Sequence, residues 1–144
     1  MRLEALYNNS IIPVFVTLTG CTALFYVLWN KEIAVAAISW LTILFIVTAI
    51  RCFIVTQYRT SKKSPEDYVY WLNIYIIGAI CSGTVLGSTA YVFIVDYNIM
   101  NTGLLTMFIL VMASGSIGIY SVFRRIYYGF NLPTIIPLIV FLLN

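Results

Sequence analysis

Long apolar runs separated by short polar breaks make up this chain. The longest, Tyr68 to Val95, carries no charge until Asp96 and places Gly78, Ser82, Gly83, Gly87 and Ser88 along its middle. The runs fall at 11–29, 33–55, 68–95, 103–123 and 132–143. A helix needs about 20 mostly apolar residues to cross about 30 Å of hydrocarbon, so the first four runs predict full spans. The fifth, interrupted by Pro133 and Pro137, would rise only about 18 Å and predicts a partial span. The third would reach roughly 42 Å as one straight helix, so tilt, protrusion or a break near its glycines must absorb the surplus. The expected fold is therefore all-α: a polytopic transmembrane helix bundle of four full spans plus a fifth partial span. Residues 1–144 read as a single integral-membrane domain and as the N-terminal part of a longer protein.

The polar breaks carry the punctuation. Pro13 falls in the first turn of the first run, where its missing N–H costs nothing. Asn30, Lys31 and Glu32 leave room only for a helical hairpin. Ser64-Pro65 followed by Glu66-Asp67 predicts the start of the third helix, with Ser64 as N-cap and Pro65 at the first helical position. Leu18-Thr19-Gly20-Cys21 matches a bacterial lipoprotein cleavage box, with Arg2 as its basic lead. The residues after Cys21 nevertheless stay apolar to Trp29, and the run exceeds the roughly 7–15 residues of a signal core, so it is read as a span.

Composition supports the same class. With 62% apolar and 9% charged residues the chain cannot clothe a water-facing surface, and its solvent is lipid. The net charge of +3 does not point to nucleic acid, because the basic residues sit between apolar runs without interleaved aromatics. They act as topology signals instead. A cytoplasmic N-terminus puts Arg2, Arg51, Arg59, Lys62, Lys63, Arg124 and Arg125 inside and leaves only Lys31 outside. Arg51, near the end of the second run, is expected to snorkel to the headgroups. Cys21, Cys52 and Cys81 are an odd set, each inside an apolar run, and predict packing residues rather than disulfides or a metal site.

Little catalytic chemistry is on offer. The chain has no histidine, which removes the commonest general base and metal ligand, so no enzyme, cofactor or metal site is expected. Glu4, Glu32, Glu66, Asp67 and Asp96 all fall in loops or at run ends, which disfavours an ion-coupled transporter. Gly83-Thr84-Val85-Leu86-Gly87 is a GxxxG sequence, whose flat groove lets another backbone approach. Gly78, Ser82, Gly83 and Gly87, with Ser114, Gly115 and Gly118 of the fourth run, are therefore the expected helix-packing residues, within the chain or between two copies. Trp29, Tyr68, Tyr70, Trp71, Tyr97, Tyr127 and Tyr128 fit an interfacial aromatic belt. A sensing pocket shared by Trp40 and Trp71 is a further option.

Taken in order, Ser39-Trp40, Arg51, the basic loop, Trp71, the Gly78 to Gly87 core, the small-residue fourth span and Asn131-Leu132-Pro133 with Pro137 form a recognisable series. The series resembles the N-terminal membrane input domain of bacterial sensor histidine kinases and of related diguanylate cyclases and phosphodiesterases. The resemblance implies a sensor domain of the bacterial inner membrane, in a two-component or similar signal-transduction system. Helix repacking would then pass a stimulus to a cytoplasmic output module beyond this chain, with homodimerisation through helix packing or through that module. The chain has Leu86-Gly87 where such domains often carry Trp-Gly, so no residue is assigned to a ligand. The alternative is a structural or assembly subunit of a larger membrane complex. A small transporter or channel ranks third.

Overall fold

The computed structural model describes residues 6–7, 10–29, 31–61, 67–93, 99–120 and 123–143. They form helices and the turns between them, with no strand among the described residues. Helix α1 runs Ile11–Val27, and a 3₁₀ turn at Lys31–Ile33 leads directly into α2, Ala34–Thr60. Then follow α3, Tyr68–Gly87, the short α4, Thr89–Phe93, α5, Ile99–Tyr120, and α6, Arg124–Leu143. Four of the helical stretches, α2, α3 with α4, α5 and α6, are long and apolar enough to cross a membrane, and α1 is the shorter fifth. The chain is a helical bundle of membrane-span candidates.

Its outer surface fits that solvent. Phe45, Ile46, Ile50 and Phe53 on α2, Ile77 on α3 and Met107 and Val111 on α5 are all exposed, a surface that water would penalise and lipid does not. The helix contacts run α1 to α2, α2 to α3, α3 to α6, α6 to α5 and α5 back to α1, which closes a ring. The α5 to α1 closure packs Gly20 against Phe108 and Met112.

The most intimate pair in the ring is α3 with α6. Gly83 lies against the Phe130 carbonyl and Gly87 against the Pro133 carbonyl, so that a Cβ at either glycine would overlap backbone oxygen. Gly129 faces Ile80 one turn away, where an added Cβ would stand 3.1 Å from Cγ1. The Pro133 carbonyl is free to face Gly87 because Pro137, four residues on, has no N–H to offer it. Thr134 reinforces the seam: its single hydroxyl proton lies between the carbonyls of Phe130 (2.7 Å) and Gly83 (3.2 Å).

Three expectations need correcting. The partial span is not the last one: α6 is a continuous helix of 20 residues that passes through both prolines. The aromatic stretch 126–130, which lies between the fourth and fifth runs, forms its first turns, and the Pro133 carbonyl released by Pro137 is covered by Gly87 of α3 instead of lying open to lipid. The short member is α1, whose helix of 17 residues stops at Val27. The third run is interrupted only locally at Ser88, after Gly87: the Ser88 backbone stays in the right-handed helical region and donates to Thr84 O at 3.0 Å. Hydroxyls occupy the carbonyls near the interruption, Ser88 Oγ donating to Val85 O at 2.8 Å and Thr89 Oγ1 to Leu86 O at 2.5 Å. Trp40 on α2 adds its indole N–H to the same Val85 carbonyl at 2.9 Å and packs edge-on against Phe93. The Ser64-Pro65 helix start lies outside the described residues. At the helix boundary itself Asp67 makes no side-chain cap bond.

The seam predicts a contrast among alanine substitutions. Gly83→Ala and Gly87→Ala should each lower the unfolding free energy in detergent by about 1–3 kcal/mol through overpacking against backbone. Gly115→Ala, whose Cβ would meet nothing within 4 Å, should leave it unchanged or raise it. Equal effects at the three positions would remove the seam from its assigned role.

Candidate functional site: a guanidinium between three helices

An arginine in a lipid-facing bundle is the costliest side chain to place, and its surroundings show how this chain places Arg51. The residue lies nine positions before the end of α2 at Thr60, roughly 13 Å along the helix axis. The side chain turns inward. Nη1 donates to Ser82 Oγ on α3 at 3.0 Å, and Nη2 donates to the Tyr120 hydroxyl on α5 at 3.3 Å. The guanidinium carbon also stands 5.7 Å from the centre of the Tyr75 ring, within cation–π range. Ser82 Oγ in turn donates back to Gly78 O at 2.9 Å, so the helix's own carbonyl orients the hydroxyl that receives Arg51.

Arg51 therefore does not snorkel. It ties α2, α3 and α5 together from inside the ring. No carboxylate pairs with it among the described residues, and its Nε–H donates to none of them. The Tyr75 hydroxyl, buried beside it, also has no hydrogen-bond partner.

Aromatic rings pack around this centre. Tyr120 meets Tyr75 edge-on at 6.3 Å and Phe130 of α6 at 5.4 Å. Tyr75 leads on to Tyr7 at 5.1 Å, and Tyr7 stacks on Tyr58 at 3.8 Å with 14° between the planes. Tyr7 belongs to the polar lead before α1, yet it is fully buried and donates its hydroxyl to Trp71 O at 2.9 Å. Burial, with Tyr58 beside it, raises the Tyr7 hydroxyl above the ordinary phenol range, so it stays protonated and remains a donor. Trp71 closes the cluster edge-on to Tyr58. Trp40 stands 18 residues before Tyr58 on α2, roughly 27 Å away along the axis, so Trp40 and Trp71 do not share a pocket.

Two openings flank the guanidinium. A groove of about 180 Å³ runs between α2 and α3, with Arg51 and Gly78 in its wall. A larger crevice of about 260 Å³ lies between α1, α5 and α6, lined by Val16, Thr17, Met112, Ser116, Tyr120 and Phe130. Tyr120 is thus both a wall of the crevice and a partner of Arg51.

The expected packing residues separate accordingly. Gly78 faces Arg51, with its added Cβ 3.8 Å from Nε, and Ser82 accepts the guanidinium, while Gly83 and Gly87 form the α6 seam. Ser114 is exposed and bonds only back to Leu110 O, and Gly115 opens into the crevice, so neither packs a helix pair. Ser116 does so in their place, receiving the Asn131 side-chain N–H of α6 at 2.8 Å. Gly118 is helical, and its surroundings lie outside the described residues. Arg59, Arg124 and Arg125 are exposed near helix ends, and Lys62 and Lys63 lie outside the described residues. Among the described residues no cluster of three or more Cys, Asp or Glu could hold a metal ion.

Comparison with protein-family models, with curated proteins and with solved structures finds no match. Any functional reading therefore stands on the site.

The hydrogen bonds predict a sign. Tyr120→Phe should cost about 0.6–1.7 kcal/mol, the usual range for a polar contact between membrane helices. Arg51→Met should leave the unfolding free energy unchanged or higher, because it removes a charge that has no counter-ion among the described residues. In the Arg51→Met background the cost of Tyr120→Phe should vanish. A double-mutant cycle in mixed micelles checks this, and additivity of the two changes would contradict the hydrogen bond.

Proposed function

We propose that the chain is a membrane-embedded signal-input domain, in which an event at the Arg51 centre shifts helix packing and α6 carries the shift to an output module outside these 144 residues. The observation that carries this reading is the Arg51–Tyr120 hydrogen bond. It spans the ring from α2 to α5, is built on a charge with no carboxylate partner among the described residues, and shares Tyr120 with an open crevice. A half-buried cation held by neutral hydroxyls and a ring face is weakly committed to one geometry, and occupation of the crevice would compete with Arg51 for the position of Tyr120.

Two arrangements of the ring then differ by a few side-chain contacts, which is the bistability a switch requires. α6 moves with α3 as one unit through the glycine seam, and its Phe130 touches Tyr120. The placement in this reading is the bacterial inner membrane with a cytoplasmic N-terminus, and the active form is a homodimer.

Distances between spin labels at Val35 on α2 and Leu142 on α6, both exposed, test the proposal with the native cysteines replaced. Two populations are expected, whose ratio changes between bilayers of thin and thick hydrocarbon and is displaced by Tyr120→Phe. A single distribution, unchanged by bilayer or substitution, would sink the switch. Recovery of the protein in a fixed stoichiometric complex with other membrane subunits, together with that single distribution, would favour the assembly-subunit reading.

A further inference from the structure

The α2–α3 groove has an apolar length and one charged wall. Val47, Ile50 and Ile54 of α2 face Ile77, Gly78 and Cys81 of α3 across it, and Arg51 supplies the only charge among the described residues that line it. Gly78 has no side chain to cover the guanidinium, and the Nε edge of Arg51 lies 3.8 Å from where a Cβ would stand. Two of the five guanidinium N–H groups are bound, by Ser82 and Tyr120. The Nε–H is not. Behind Arg51 a void of about 10 Å³, bordered by Tyr7, Tyr75 and Gly78, is the size of one water. The buried Tyr75 hydroxyl, without a partner, borders the same void.

From this geometry we propose that the groove binds a single-chain amphiphile with a carboxylate head, the apolar tail lying between α2 and α3 and the carboxylate accepting from Arg51 Nε–H. A water in the void would pass a second hydrogen bond from Tyr75. The charge is complementary, and the guanidinium fork matches a carboxylate. Depth selects this occupant over a phospholipid. α2 is about 40 Å long against about 30 Å of hydrocarbon, which places Arg51 roughly 8 Å inside the boundary when the helix is centred. A phospholipid phosphate is held at headgroup level by its glycerol and two chains, whereas a free carboxylate can descend along the groove. The inference stands apart from the signal-input reading, since it is tested by binding alone.

Cys81 lines the groove and is exposed, and Cys52 is exposed away from it, so the chain carries its own reporter and reference. In phosphatidylcholine nanodiscs, laurate should slow alkylation of Cys81 by N-ethylmaleimide saturably, by about tenfold, and leave Cys52 unchanged, as expected for occupancy near 90%. Methyl laurate should not protect. Arg51→Gln should abolish protection, and Gly78→Leu, which fills the groove with Arg51 still in place, should abolish it as well, each checked for native helicity. Protection by the methyl ester, or protection that survives Arg51→Gln, would overturn the proposal. Protection by phosphatidylglycerol in the absence of laurate would overturn it in favour of a lipid phosphate.

Discussion

The approach of the α6 backbone to Gly83 and Gly87 is the contact on which the bundle depends. In lipid no hydrophobic force drives helices together, because the tails are as apolar as the side chains, so association rests on close packing and on satisfied polar groups. Only glycine permits the carbonyls of Phe130 and Pro133 to lie directly on α3. Pro133 and Pro137 are the other half of the same device. Each removes an N–H from the helix, and a released carbonyl needs a neighbour within the membrane. Glycines on one helix and prolines on the next thus answer each other, and the Thr134 hydroxyl bridges them. The end of α3 is held by α6 on one side and by the Trp40 indole on the other.

With α3 and α6 acting as one wall, the ring has an interior in which polar groups can meet, open on one side to the α2–α3 groove. Arg51 occupies it. Among the described residues no acid neutralises the charge, which is held by two hydroxyls and a ring face, an arrangement that orders three helices at a cost in desolvation. The N-terminal lead closes the same end of the ring through Tyr7, stacked on Tyr58 and bonded to the Trp71 carbonyl.

Fold class was legible in the sequence because run length and charge scarcity report directly on the solvent. Gly83 and Gly87 were legible for a related reason: their spacing of four residues describes a face. What escaped had local causes. The second apolar run was ended at Val55, yet α2 continues to Thr60 with its polar residues exposed. Those five residues move Arg51 from the rim to a depth from which it turns inward. The last run was counted from Leu132 and came out too short to cross, whereas the helix already starts at Arg124 and α3 covers the Pro133 carbonyl that Pro137 releases. Ser114 and Gly115 were chosen for size alone. A helix turns about 100° per residue, so Ser116 meets Asn131 while Gly115 faces the crevice. Tyr7 gave no signal beyond being an aromatic residue in a polar lead.

The central claim, that Arg51 is an interior hub and not an interfacial anchor, is open to one direct measurement. Solid-state NMR on protein in phospholipid bilayers, with labelled arginine guanidinium nitrogens and labelled tyrosine phenol carbons, can compare dipolar contact of Arg51 with Tyr120 against contact with lipid phosphorus. The account predicts a close contact to Tyr120 that disappears in Tyr120→Phe, and no contact between Arg51 and phosphorus. Strong coupling of Arg51 to phosphorus, with none to Tyr120, would contradict it.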